Sequence, residues 1–438
     1  MKTKTARLYG AQTERAITNF PISGIPMPEE LISALALIKE YAAIVNGELG
    51  EIPAGKAHAI ASAARSICEG KHRDQFPVDV FQTGSGTSTN MNMNEVLAAL
   101  ANAHPHDEVN RCQSSNDVIP SAIQIACAIG VRDRLLPSLA SLRATFNAKA
   151  RAFRSVVKTG RTHLMDAVPV SLGAEFASYA ALLAHAERRL RDATEELCVL
   201  PLGGTAAGTG LNAHPSFAPK TIARMRTATK LPLKEADDHI AAQSCPLALQ
   251  TLAAALKETS LALTKAANDI RLMASGPVAG LAEIILSPLQ AGSSIMPGKV
   301  NPVLCESVLQ VGMETVGMDA TVTAALAQVS NFELNVALPV MAHVLLSSVR
   351  HLANVTSRFD EKCVSHIQVN RKLLEERAAR NPMLATALNA AIGYDKAAEI
   401  VQEAVRTGET IFSVAQRRTK IPRKELKEML DPKRMLSK

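Results

Sequence analysis

Leu31, Ala34, Leu35, Ile38, Tyr41, Ala42 and Val45 fall three and four residues apart, the spacing that lines one face of a helix. Four longer stretches carry the same period: residues 119 to about 154, 171 to 196, 245 to 273, and 303 to about 359, the last broken near Asn331 and Pro339. Pro120 falls in the first turn expected for the earliest of these, where its missing N–H costs nothing. The stretches are rich in Ala, Leu and charged residues, with too few β-branched clusters for a sheet. Their apolar positions also cover more than one face, which asks for burial in a bundle or against other subunits. The pattern predicts an all-α protein. A charged segment ending in Asn381-Pro382 interrupts it from about residue 370 and sets off a smaller C-terminal helical domain.

Composition narrows the class without choosing a chemistry. At 438 residues the chain exceeds one ordinary core, so two or three domains are expected. Aromatic residues are only 3% with no Trp, which favours helices over sheets. Cys68, Cys112, Cys127, Cys198, Cys245, Cys305 and Cys363 are odd in number and never spaced Cys-x-x-Cys, so neither a disulfide framework nor a zinc site is expected. Met1 leads into a charged segment and no run of 18 uncharged apolar residues follows, so the expectation is a cytoplasmic protein with no signal peptide or membrane span. The formal charge of +7 has its excess at the end, where Arg417, Arg418, Lys420, Arg423, Lys424, Lys427, Lys433, Arg434 and Lys438 crowd together. No aromatics interleave them, so they read as a solvated tail or a small helical domain with a basic face rather than a nucleic-acid site.

Four polar motifs interrupt the helical pattern: Gly86-Thr87-Ser88-Thr89-Asn90, Gln113-Ser114-Ser115-Asn116-Asp117, Gly160-Arg161-Thr162-His163-Leu164-Met165-Asp166, and the loop from Gly292 to Pro302 that holds Ser293, Ser294, Lys299 and Asn301. Each sets hydroxyls and amides just before an expected helix. Such groups cap a helix by accepting its free N–H groups. The same helix ends favour anions, because those N–H groups and the macrodipole both attract negative charge. Glycines in the last loop let the backbone approach a ligand, and Lys299 adds a point charge beside the Asn301 amide, a combination suited to a carboxylate. Capping and carboxylate binding remain open as readings of each motif taken alone.

Together these blocks resemble the fumarase/aspartase superfamily, lyases that eliminate across a carbon–carbon bond to release fumarate. Tyr9-Gly10-Ala11-Gln12-Thr13, Leu202-Gly203-Gly204-Thr205, Gly208-Thr209-Gly210-Leu211-Asn212 and Ala274-Ser275-Gly276-Pro277 extend the resemblance over nearly the whole chain. Within the superfamily, Gln113-Ser114-Ser115-Asn116-Asp117, Asn212-Ala213-His214-Pro215, Asn331-Phe332-Glu333-Leu334-Asn335-Val336 and Ile392-Gly393-Tyr394-Asp395-Lys396-Ala397-Ala398 point to the class II fumarases. Gly86-Thr87-Ser88-Thr89-Asn90 and Leu289-Gln290-Ala291 point to the aspartases.

The resemblance implies a three-domain fold: an N-terminal helical domain over 1–112, a central bundle of long helices over 113–366 and a small helical domain over 367–438. It implies a homotetramer whose active sites are shared between subunits, a small dicarboxylate substrate, and no metal or organic cofactor. Reversible hydration of fumarate to L-malate is the implied reaction, through an aci-carboxylate intermediate. Ser293 is then the base, and His163, assisted by Glu306, the acid for the leaving hydroxyl. Thr87, Ser114, Ser115, Asn116, Thr162, Lys299 and Asn301 hold the substrate. Nothing in it calls for a nucleic acid or membrane partner.

Several positions depart from the family pattern. Met165 stands where the family usually has Gln, Val278 where Arg is common, and Ala101 and His106 replace an Arg and an Asn of the accessory dicarboxylate site, although His104 and Asp107 remain. Aspartate ammonia-lyase, differing in the leaving group, and a non-catalytic helical scaffold are the alternatives.

Overall fold

The computed structural model describes residues 7–436. It is helical, with four two-stranded sheets as its only extended ladders among the described residues. The long helices fall close to where the apolar period places them: Leu172–Leu197, Leu247–Met273, Val303–Val329 and Leu338–Lys362. Ser330–Asn331 and Leu334–Asn335 form the antiparallel ribbon that breaks the last two apart. The stretch expected as one helix from 119 starts earlier, at Ser115, and runs to Gly130. A π-helical turn over Val131–Leu135 then joins it to Leu136–Ala152. Pro120 is therefore inside the helix rather than in its first turn. The polar run after Gly86 is also helical: the element Thr87–Ala101 begins in it, whereas the motif was expected to lie just before a helix. None of the helices described is long and apolar enough to cross a membrane.

The chain divides into two compact units whose boundaries fall within long helices. The first takes Met1–Ser138, Ala186–Leu261 and Gln310–Asn354. In it, Glu29–Glu48 packs on Ala54–Cys68, Ser115–Gly130 and Phe217–Thr229. Its stripe Leu31, Leu35, Ile38, Ala42 and Val45 is wholly buried, as the three-and-four spacing demands. Lys39 lies within that stripe and is equally buried.

The second unit takes Leu139–His185, Ala262–Leu309 and Val355–Lys438. Phe146, Phe153, Phe176 and Tyr179 form an edge-to-face cluster there, with centroids 5.3 to 6.0 Å apart. Toward the C-terminus Leu384, Leu388, Ile400, Ile411, Val414 and Leu426 make a core of their own. The basic end of the chain belongs to these short helices. Arg417 pairs with Glu403 and Glu409, and Arg418 with Glu403. Lys438 lies outside the described residues. All seven cysteines are free thiols.

Candidate active site

In the first unit, Thr87, Ser114, Ser115 and Asn116, expected from the sequence to hold the substrate, lie where two helices begin. Gly86 caps Thr87–Ala101 at φ 74°, and a Cβ there would stand 2.9 Å from Ile119 of Ser115–Gly130. Only glycine accepts both the left-handed backbone and that approach. Thr87 follows it, its hydroxyl 2.7 Å from that of Ser85.

Ser114 caps the next helix. Its Oγ accepts from the Asn116 N–H at 3.2 Å, and the Asp117 carboxylate accepts from the Ser114 N–H at 2.9 Å, completing a capping box. Asp117 is fully buried and also accepts from the backbone N–H groups of Gly203 and Thr205 at 3.1 and 3.0 Å. Asn116 donates to the Ala206 carbonyl at 2.8 Å. The glycine-rich segment from residue 202 is thereby stitched to the start of Ser115–Gly130.

Beneath this helix end lies a polar cluster absent from the sequence reading. Lys39 donates to Asn110 Oδ1 at 2.9 Å, and Asn90 and Asn94 donate to the same oxygen at 3.2 Å. Asn90 also donates to Ser115 Oγ at 3.0 Å. Burial pushes the Lys39 amine down to about 7, against the pull of the Asp117 charge. Burial raises the Asp117 carboxyl above its ordinary range, and its backbone donors and Lys39 oppose that rise. A buried Lys on an apolar stripe was the available signal.

In the second unit, Thr162 and His163 do not precede a helix as expected. They sit at the tip of a β-hairpin, Val157–Thr162 against Met165–Ser171. His163 and Leu164, at φ 57° and 61°, make the two-residue turn. Paired positive φ values are what a tight hairpin needs to match strand twist. Thr162, His163, Leu164 and Met165 are all exposed.

Charges fix the hairpin's base. Lys158, nearly inaccessible, is 2.6 Å from Glu283 Oε2 and 2.9 Å from Glu175 Oε2, while Arg161 reaches Glu283 Oε1 at 2.5 Å. Burial raises the Glu175 carboxyl, with the Lys158 charge opposing. Asn381 donates to the Ala167 carbonyl at 2.7 Å and holds the returning strand.

The glycine loop closes on itself. Gly292 donates to the Lys299 carbonyl at 3.1 Å, and Asn301 Nδ2 donates to the Gly292 carbonyl at 2.8 Å. A Cβ on Gly292 would collide with the Lys299 carbonyl oxygen, so glycine is required for this closure. Inside the loop, Ser293 Oγ accepts from two backbone N–H groups, Ile295 at 3.2 Å and Met296 at 3.1 Å. The loop surrounds a hollow of about 430 Å³ lined by Ser293, Lys299 and their neighbours. Val303–Val329 begins immediately after it and carries Glu306 in its first turn. Glu306 and His163 are both exposed, and no hydrogen bond joins them within the described residues.

Within the first unit, each hydroxyl-rich helix start has the chemistry to receive a carboxylate oxygen; within the second, the loop over 292–301 offers backbone N–H groups beside a cation. A family model described as lyase matches residues 1–317, and one described as fumarase C C-terminus matches residues 384–437. The chain is 46% identical over 431 residues to the class II fumarate hydratase of Xylella fastidiosa, covering 97% of this chain and 91% of that one. It is 47% identical over 422 residues to the class II fumarate hydratase of Chromobacterium violaceum, covering 94% and 91%. Among solved structures, the recombinant class II fumarase from Schistosoma mansoni superposes with a TM-score of 0.96 at 36% identity, over 99% of this chain and 96% of that one. A fumarate lyase:delta crystallin from Brucella melitensis, bound to cobalt, gives 0.93 at 40% identity, over 98% and 96%. The chain belongs to the class II fumarase family of the fumarase/aspartase lyases.

Proposed function

We propose that this protein catalyses the reversible hydration of fumarate to L-malate, through an aci-carboxylate intermediate, in the cytoplasm and as a step of the tricarboxylic acid cycle. The observation that carries the reading is the pair of backbone N–H groups on Ser293 Oγ. A serine acts as a base only as its alkoxide, and donors already aimed at the oxygen stabilise that form.

In the dehydration direction, Ser293 takes a proton from C3 of malate. The electrons move into the adjacent carboxylate, which becomes a doubly charged aci-carboxylate. Lys299 and Asn301 stabilise that added charge, the chief demand of the reaction. The C2 hydroxyl then leaves as water, protonated by His163 with Glu306 assisting; in reverse the same pair activates water. Thr87, Ser114, Ser115, Asn116 and Thr162 hold the two carboxylates and the leaving oxygen, fixing C3 before Ser293. In this reading four chains assemble, and each active site draws its residues from several of them.

Ser293→Ala tests the assignment. The expected result is loss of the ultraviolet absorbance of fumarate formed from L-malate, with circular dichroism and melting unchanged. Near-normal turnover in that variant refutes Ser293 as the base. Fumarate release from L-aspartate, but not from L-malate, by the unaltered protein would replace the reaction with ammonia elimination.

A further inference from the structure

Hydrogen-bond direction in the polar cluster under Ser115 is fixed from its inner end. The Gln113 carbonyl can only accept, and Asn110 Nδ2 donates to it at 3.0 Å. Asn110 Oδ1 must then face the other way, where Lys39 donates to it at 2.9 Å. Asn90, within 3.2 Å of that same oxygen, has to present its NH₂ group. The other hydrogen of that group points at Ser115 Oγ, 3.0 Å away. Ser115 therefore accepts from inside, and its single proton is left for a group outside. Lys39, Asn90 and Asn94 are essentially inaccessible while Ser115 is half-buried, so the chain runs from core to site in one direction.

We infer that Lys39 and Asn90 are positioning residues that hold Ser115 as an outward hydrogen-bond donor, so that it recognises an anionic oxygen of the substrate. This inference rests on the fumarate-hydrating reading for the identity of that oxygen. The hydrogen-bond relay itself does not depend on it. An aimed donor needs no reorganisation when the carboxylate arrives, whereas a hydroxyl free to rotate does.

A double-mutant cycle on the full protein separates this role from structural support. The variants are Asn90→Ala, Ser115→Ala and both together. The readouts are KM and kcat for L-malate and, by calorimetry, the dissociation constant of succinate, an unreactive four-carbon dicarboxylate. Asn90→Ala should weaken succinate binding about tenfold, the worth of one aimed hydrogen bond, and raise KM in parallel. In the Ser115→Ala background the same change should have less than a twofold effect, because the group it aims is gone. A further tenfold loss in that background overturns the inference. Should Asn90→Ala fail to fold, Asn90→Asp serves instead. It keeps the shape but presents only acceptors, turns the Ser115 proton inward and is expected to give at least as large a loss. A succinate affinity equal to that of the unaltered protein in Asn90→Asp also overturns it. If the unaltered protein binds succinate with the expected cycle but does not form fumarate from malate, the reaction fails and the relay stands. If it forms fumarate and the cycle is additive, the relay fails and the reaction stands. Absence of both succinate binding and fumarate formation by the unaltered protein overturns both.

Discussion

Replacing Lys158 with Met isolates the ion cluster at the base of the Thr162–His163 hairpin. The ammonium lies 2.6 Å from one Glu283 oxygen and 2.9 Å from Glu175, and the Lys158 and Glu283 side chains are 2% and 1% exposed. At an effective dielectric of about 20, each pair at such distances carries roughly 6 kcal/mol of attraction. Desolvation of the three charges offsets much of that, so the intact cluster is not a large net source of stability. Removing the cation alone is different. Glu283 keeps Arg161 at 2.5 Å, but Glu175 loses the cation it contacts among the described residues. Breaking a buried pair in this way costs about 3–5 kcal/mol. The loss should depend on pH, and its sign follows from Glu175. Burial already raises that carboxyl above its ordinary value of 4.5, and losing Lys158 raises it further. In the variant the folded state then binds a proton at higher pH than the unfolded state does. Its stability recovers toward acid. Denaturant titrations of both proteins at pH 8 and pH 5.5 should show a gap of several kcal/mol that narrows at the lower pH. A gap below about 1 kcal/mol at pH 8, or one that widens toward acid, refutes the reasoning that places a charged, dependent Glu175 in the cluster.

Other variants test separate parts of the site. Lys299→Met should lower fumarate turnover roughly 100- to 1000-fold, the cost of losing one donor to the developing charge, read from steady-state kinetics. Gly292→Ala puts a Cβ into the Lys299 carbonyl and must open the loop; turnover should fall by on the order of 100-fold from misplacement alone, with the melting temperature little changed. Asp117→Ala leaves three backbone N–H groups without their acceptor, those of Ser114, Gly203 and Thr205. At about 1–3 kcal/mol for each buried donor, denaturant titration should show a loss on the order of 4 kcal/mol.

The long helices were legible because a period held over 25 residues or more leaves little freedom in placing them: Leu247–Met273 begins two residues from its expected start and ends at its expected end. The hairpin was not legible. Its first strand, Val157–Thr162, carries Lys158 and Arg161, whose burial is made possible by Glu283 more than a hundred residues away. No local pattern encodes that. The start of Thr87–Ala101 was missed for a related reason: Thr, Ser and Asn have weak helix propensity, and the packing of Gly86 on Ile119 overrides it. Lys39 shows the opposite case. It lies inside a correctly placed apolar stripe, where a charged residue signals a buried polar partner, but the period does not say that the partner is Asn110.

The polar motifs posed a choice between capping and binding, and in the motif over 113–117 the hydrogen bonds give two neighbouring serines different parts. Ser114 spends its oxygen on the helix N–H, while its neighbour Ser115 receives Asn90 from below and keeps a proton to give away. Ser293 invites the same question, since a serine accepting from the N–H groups two and three residues on is also an ordinary local turn. Two neutral donors are common around such a hydroxyl and do not by themselves make it acidic. What they do is remove the need to reorganise when the proton leaves, after which the same bonds become charge-assisted and roughly twice as strong. The remaining stabilisation has to come from a full charge, and Lys299 is the cation held in the same closed loop. If that division is right, Lys299→Met lowers kcat more than it raises KM for malate. A variant that raised KM alone would make Lys299 a carboxylate anchor and leave the Ser293 alkoxide without its principal support.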